Sequence, residues 1–504
     1  MKIEALEREH GLQVVEHLSQ ALHMPGVTLE EMCAAEAAFD LVPYGEATRR
    51  GCVALRNGEG AIAVVLGDPF DLDTQDWLEE RLALPFRYRL ARRQDVADYI
   101  ARQESQMRAM DGVASELKAE GPAADGAQDL SFETISETDS PVVRLVASTL
   151  YDAIKAGASD VHLESTQSGL TIKYRVDGVL TPAESVPGTE VAEQVISRIK
   201  VMSELDIAER RVPQDGRFKA RREGRDIDFR VSVMPSVFGE DAVLRILDRR
   251  ALSDQLKGLT LDSLGFDQDV IGRMRQLSAE PYGMLLVTGP TGSGKTTSLY
   301  ATITEVNKGL DKIITIEDPV EYQLPGVLQI PVNEQKGLTF ARGLRSILRH
   351  DPDRIMVGEI RDPETAEIAV QSALTGHLVY TTVHANNAFD VLGRFMHMGV
   401  DPYNLVSALN AVLAQRLVRV FCTRCRSKGC NDCRGSGFRG RKAIGELLVL
   451  NDELRELIIA RAPARKLKET ARAAGTLPLR EAAMRLVNNG ETSIEEINRV
   501  TFVA

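Results

Sequence analysis

No stretch of this sequence approaches the roughly 18 consecutive uncharged apolar residues that a membrane-spanning helix requires. Its longest apolar runs, such as MLLVTG, have the length of a strand. The N-terminus, MKIEALEREHG, is charged and has no apolar h-region, so neither a secretory route nor direct membrane insertion is expected. Positive charge is also short. Lys and Arg number 61 against 73 Asp and Glu, a net charge of −12. That balance opposes a general nucleic-acid binder, and no basic, aromatic-interleaved surface is visible. Cysteine is scarce, at 6 in 504 residues. Cys33 and Cys52 stand alone in apolar surroundings and are expected to be plain core residues. No fixed-period repeat is present. The expectation is a cytoplasmic chain too long for one core, built from roughly two to four domains.

The other four cysteines are crowded together. Cys422, Cys425, Cys430 and Cys433 form C-x₂-C-x₄-C-x₂-C within FCTRCRSKGCNDCRGSGFRG. A reducing compartment disfavours a structural disulfide. Paired knuckles favour zinc, which takes four thiolates in a tetrahedron, ahead of a thiol redox pair or a relic cysteine loop. The spacer is short, but Gly429 can turn and fold the second knuckle onto the first.

Composition shifts divide the chain. Residues 1–105 mix helical patterns with the apolar run AIAVVLGDPFD, as a small α/β domain would. ELKAEGPAADGAQDL is Ala-, Gly- and acid-rich, and marks a flexible linker over 106–130. Residues 131–255 carry a helical pattern from Pro141 and then alternating strands, a second α/β domain. Residues 256–420 alternate strand and helix regularly, the sign of a parallel sheet with crossover helices. The cysteine loop occupies 421–440, and 441–504 is expected to be helical.

The chemistry concentrates in MLLVTGPTGSGKTTSLYATI. Residues 289–296 fit G-x-x-x-x-G-K-(S/T), placed between an apolar strand and a helix start. Gly289, Pro290, Thr291, Gly292, Ser293, Gly294, Lys295, Thr296 and Thr297 are the expected nucleotide-binding residues. Backbone N–H groups converge on phosphate there, and the helix dipole favours the anion. Lys295 would reach the β- and γ-phosphates of ATP, and Thr296 would hold Mg²⁺. After strand KIITI, Glu317, Asp318 and Glu321 lie where an open α/β sheet binds ligands, although an acidic helix cap is the plainer reading. Glu359 follows the strand Ile355 to Val357 and can polarise an attacking water or assist the metal. Gly358 stands where an Asp is usual, which leaves the metal carboxylate open. His377 and His384 flank a further strand and are candidates for γ-phosphate sensing, with zinc ligation disfavoured. Arg342, Arg345 and Arg349 share one helical face, ordinarily just solvated.

In that order, GPTGSGKTT, ITIEDPVEY, LRHDPDRIMVGEIRD and GHLVYTTVHANN resemble the secretion ATPase superfamily, and within it the type II secretion and type IV pilus assembly ATPases. GASDVHLES, RRVPQDGRF, RVSVMPSVFGE and the tetracysteine loop strengthen the match. It covers about residues 130–504, while 1–105 resembles the family's N-terminal domain through VVLGDPFDLDTQDWLEERL. The resemblance implies a multidomain α/β fold: a RecA-like P-loop NTPase domain, a PAS-like α/β domain before it, a small N-terminal α/β domain and a zinc-type loop. It also implies a homo-hexameric ring of ATPases that docks, through the N-terminal domain, on inner-membrane platform proteins and assembles a pseudopilus or pilus. Matching position by position, Glu359 is the Walker B glutamate, Glu317 and Glu321 lie in the Asp box, and His384 lies in the His box. Lys295, Glu317, Glu359 and His384 are then the catalytic set, and Arg217 and Arg230 of the middle domain contact phosphates.

Two departures stand out. The spacer between the cysteine pairs is shorter than is usual in the family, and the R-L-G start of the cyclic-di-GMP-binding N-terminal domain is missing, so that ligand is not expected. Modest length and a single N-terminal domain favour secretion over pilus assembly. Retraction motors lack the cysteine loop. A nucleotide-switched scaffold without turnover is opposed by the intact Lys295, Thr296, Glu317 and Glu359. A DNA or RNA translocase is opposed by the acidic balance.

Overall fold

The computed structural model describes residues 14–56, 61–82, 84–106, 128–129, 140–248 and 258–501. The chain divides into two compact units, Met1–Leu247 and Asp248–Ala504, each built on its own sheets. The linker read over 106–130 lies outside the described residues, apart from Gln106 and the pair at 128–129. Among the described residues, no helix is long and apolar enough to cross a membrane.

In the first unit, β1 (Glu36–Ala37), β2 (Cys52–Arg56), β3 (Ile62–Leu66) and β4 (Phe86–Leu90) form a four-stranded sheet in that order. The first three pair antiparallel, and β3 and β4 pair parallel across the helix Leu72–Arg81. Cys52 is fully buried in β2, but Cys33 is exposed. The expectation of a core Cys33 fails because its short helix, Leu29–Ala34, turns Met32 inward instead.

The second sheet contains β5 (Gln128–Asp129), β6 (Asp160–Thr166), β7 (Gly169–Val176), β8 (Val179–Pro187), β9 (Gln214–Arg222), β10 (Arg225–Ser236) and β11 (Gly239–Leu247), ordered β5-β9-β10-β11-β6-β7-β8. Alternate residues of β10, Ile227, Phe229, Val231 and Val233, are buried with the apolar faces of helices Pro141–Lys155 and Thr189–Met202. The period of two leaves Asp228, Arg230, Ser232 and Met234 on the other face.

The second unit carries β12 (Gly283–Thr288), β13 (Ile313–Glu317), β14 (Leu328–Pro331), β15 (Arg354–Val357), β16 (Leu378–Val383), β17 (Leu409–Phe421) and β18 (Phe438–Val449), ordered β14-β13-β15-β16-β12-β17-β18. All pairs are parallel except β17–β18. β12, β13 and β16 are buried along their whole length, as parallel strands covered on both faces must be. Helices Lys295–Val306, Phe340–Ile347 and Pro363–Leu374 make the crossovers, and two apolar cores lie on the two faces. Helix starts are signalled locally: Thr339, Asp362 and Asn387 each cap a helix with a side-chain oxygen. The segment from 441, expected to be helical, opens instead as the long strand β18, and helices begin at Asp452.

Candidate nucleotide site

β12 ends at Thr288, and the glycine loop leads from it directly into the helix Lys295–Val306. The loop is pressed against β17. A Cβ at Gly289 would meet the Gln415 carbonyl oxygen at 2.5 Å and Ser293 Oγ at 2.6 Å. Gly294 caps the helix at φ 84°, a conformation suited to glycine. Lys295 Nζ donates to the carbonyls of Gly289 and Pro290 at 3.0 and 3.1 Å, so the ammonium is held over the loop. Burial pushes its pKa down from the usual lysine range, while the charge of Glu359 opposes that shift. Ser293 Oγ is buried without a protein partner. A cradle of backbone amides, a poised ammonium and an unsatisfied buried hydroxyl suit a phosphate chain. Thr296 and Thr297 follow half-buried in the first turn, and Pro290, Thr291 and Gly292 are exposed at the lip.

The same sheet edge gathers the candidate catalytic groups. Glu359 follows β15, and one of its oxygens accepts from Arg361. Its other oxygen lies 3.5 Å from His384 Nε2. Arg361 also stands 3.7 Å from Asp318. Burial, then the charge of Lys295, lower the His384 pKa from 6.5, so the imidazole is neutral at pH 7. Thr288 fixes this histidine's backbone: its Oγ1 lies 2.8 Å from the Val383 carbonyl and accepts from the Ala385 N–H at 3.0 Å. At Gly358, directly after β15, a Cβ would stand 3.2 Å from the Ile316 carbonyl, a tight contact.

Glu317 sits differently. Its side chain is turned inward and buried, accepting from Tyr300, from Thr315 Oγ1 at 2.5 Å and from Gln329 at 3.1 Å. Burial, then the neighbouring Glu317 charge, raise the Tyr300 pKa, so the phenol stays a donor. Glu321 is exposed, and its charge is felt at Lys295. His377 is a correction to the paired reading. It lies at the opposite end of β16, with Nδ1 3.0 Å from the Ser372 carbonyl. Of the two, His384 stands at the edge that carries the glycine loop. Arg342, Arg345 and Arg349 are exposed, and Arg345 pairs with Glu364.

Arg217 and Arg230 belong to the first unit, where they face each other across β9 and β10. The row continues: Arg230 opposes Arg245, Arg245 opposes Asp160, and Asp160 opposes Arg175. Asp160 is buried and takes a hydrogen bond from Arg245 at 3.0 Å.

At the tip of the β17–β18 hairpin, the Sγ atoms of Cys422, Cys425, Cys430 and Cys433 all lie within 4.8 Å of one another. Three of the separations are 3.8, 3.6 and 3.7 Å. A tetrahedron with Zn–S bonds of 2.3 Å has edges of about 3.8 Å, so this donor set fits zinc. Burial resists ionisation of Cys433, but the N–H groups of Cys430 and Gly437 bring its thiol down to about 6. Gly429, at φ 87°, makes the turn between the knuckles.

Thr288, Arg361, Tyr300 and Gln415 were not singled out from sequence. Thr288 directly precedes the loop and Arg361 lies two positions from Glu359, which are signals; Tyr300 and Gln415 have partners too distant along the chain to be read.

Residues 136–499 match the family model of the Type II/IV secretion system protein, and residues 22–110 match that of the MshEN domain. A type II secretion system protein E of Pseudomonas aeruginosa is 46% identical over 390 residues, covering 72% of this chain and 76% of its own. The type IV pilus assembly ATPase PilB of Myxococcus xanthus is 36% identical over 520 residues, covering 96% of this chain and 90% of its own. Among solved structures, the Legionella pneumophila ATPase DotB superposes with a TM-score of 0.53 at 22% identity, covering 70% of this chain and 94% of its own. That likeness concerns the fold.

Proposed function

The chain belongs to the type II/IV secretion system protein family, and from that premise we propose that it is the ATPase that drives pseudopilus assembly and protein export in a type II secretion system. It works as a cytoplasmic homo-hexamer, held at the inner membrane by platform proteins that dock on residues 1–105. One observation carries the reading: Lys295, Glu359 and His384 converge around the glycine loop at a single sheet edge.

The loop N–H groups from Thr291 to Thr297 and the Lys295 ammonium bind the β- and γ-phosphates of ATP and take up the charge that develops on them. Thr296 would hold Mg²⁺, which would supply positive charge against the phosphates. Glu359 orients the attacking water and receives its proton. His384, neutral and 3.5 Å from that carboxylate, senses the γ-phosphate. Glu317 supports the site from behind, locking Tyr300 and Thr315. Arg217 and Arg230 meet phosphate charge from the middle domain. The four cysteines hold a zinc ion as a structural clip, since four thiolates leave no open position for catalysis.

Lys295→Ala abolishes ATP turnover in a folded chain; unchanged turnover refutes the loop assignment. Glu359→Gln keeps nucleotide affinity and loses about a hundredfold or more in hydrolysis. A wild-type rate in that variant transfers the role to Glu317. The second reading, a pilus extension motor, is favoured by the PilB relative that covers nearly the whole chain. Crosslinking of residues 1–105 in cells separates the two, by capturing a secretion or a pilus platform protein.

A further inference from the structure

We propose that Gln415 is a positioning residue for phosphate binding: its side-chain amide holds the Ser293–Gly294 peptide so that the Gly294 N–H faces the phosphate cradle. This rests on the reading that the loop Gly289 to Thr296 binds ATP. Gln415 lies on β17, 1% exposed, and reaches the loop from 122 positions away in sequence. Its Nε2 donates to the Ser293 carbonyl at 2.8 Å. Its Oε1 accepts from Ser298 Oγ, on the following helix, at 2.8 Å. The orientation of the amide is dictated by its partners, because a carbonyl can only accept and so the NH₂ must face Ser293.

The consequence follows from peptide geometry. The Ser293–Gly294 bond is trans, so its C=O and N–H point in opposite directions. Fastening the carbonyl to β17 therefore turns the Gly294 N–H away from β17 and into the loop's concavity. The same side chain fixes the helix start, since the Ser298 N–H donates to the Gly294 carbonyl at 3.0 Å while the Ser298 hydroxyl holds Gln415. The fit leaves no slack: a Cβ at Gly294 would come within 3.0 Å of Gln415 Nε2. β17 is itself held at this point, because Arg416 donates to the carbonyls of Gln415 and Asn386 at 2.9 and 2.6 Å. An amide that cannot shift keeps a phosphate donor oriented before nucleotide arrives, which lowers the ordering cost of binding.

Gln415→Glu tests this in the full chain, because a carboxyl group donates to Ser293 only when protonated. Affinity for a non-hydrolysable ATP analogue, kcat, KM and thermal melting are measured from pH 8 to pH 6. At pH 8 the variant binds the analogue about tenfold or more weakly, with KM rising more than kcat falls. The deficit shrinks toward pH 6, a recovery absent from wild type. Gln415→Leu is weak at every pH. Ser298→Ala, which frees the far end of the amide, loses about threefold. Wild-type affinity in the two Gln415 variants overturns the proposal. Should both Gln415 variants fail to fold, wild-type affinity in Ser298→Ala overturns it and a weakened one upholds it. A wild-type chain that binds no ATP sinks the loop assignment instead.

Discussion

Thr288 separates two jobs that meet at one edge of the sheet. Its backbone ends the strand that launches the loop, and its hydroxyl pins the residues on either side of His384. Thr288→Val keeps the shape, leaves the Ala385 N–H unpaired and releases the histidine. Hydrolysis is expected to fall about tenfold while analogue affinity stays within about threefold of wild type. Equal losses in both would mean that the loop itself had been distorted. The loop and Lys295 were legible in sequence because their contacts are local. His384 was legible in principle, since ligands collect at the carboxyl ends of parallel strands and His377 sits at the amino end. The cage around Glu317 was not. Tyr300 and Gln329 lie 17 and 12 positions from it, and nothing in a linear pattern says which way a carboxylate turns.

The β17–β18 hairpin shows why a strand can hide. Ala443 to Leu448 of β18 are buried without alternation, and short apolar runs of that kind carry no period to separate strand from helix. The helical segment that follows directly makes the ambiguity worse. At the hairpin's tip the four cysteines stand close enough together to share one metal ion. Purified protein is expected to carry about one zinc per chain. Cys430→Ser should lose the metal and melt at lower temperature, with analogue affinity intact because the tip is not part of the loop. A metal-free wild type would leave the cysteines as a relic or a redox pair. Further along β18, buried Glu446 accepts from the Leu479 N–H at 3.1 Å. Burial raises its pKa above the usual 4.5, against the pull of the Leu479 and Ala388 N–H groups. A raised folded-state value binds the proton more tightly than the unfolded chain does. Stability from this group is therefore full below pH 4.5 and lost as pH rises through the folded value. Compared with Glu446→Gln by melting temperature, the wild type should gain ground as pH falls from neutral. A constant difference would show that Glu446 does not titrate in that window.

Arg217, Arg230 and Arg245 of the first unit stand side by side across β9, β10 and β11, with Asp160 next in the row. Like charges placed directly opposite in a sheet repel, which sets Arg230 against Arg217 and Arg245, while Arg245 also pairs with buried Asp160. Exposure and salt keep any such penalty small. The proposed role of Arg217 and Arg230, meeting phosphate charge, would give such a row an anion to hold. Arg230→Gln removes the central charge and relieves both neighbours. The variant should melt about 1 °C higher at low ionic strength. Its ATPase rate should fall about tenfold or more, because charge stabilisation of the transferring phosphoryl group is lost. The opposing movements are the signature of a functional residue held at a stability cost. A variant that melts lower and turns over ATP normally would make Arg230 a structural residue.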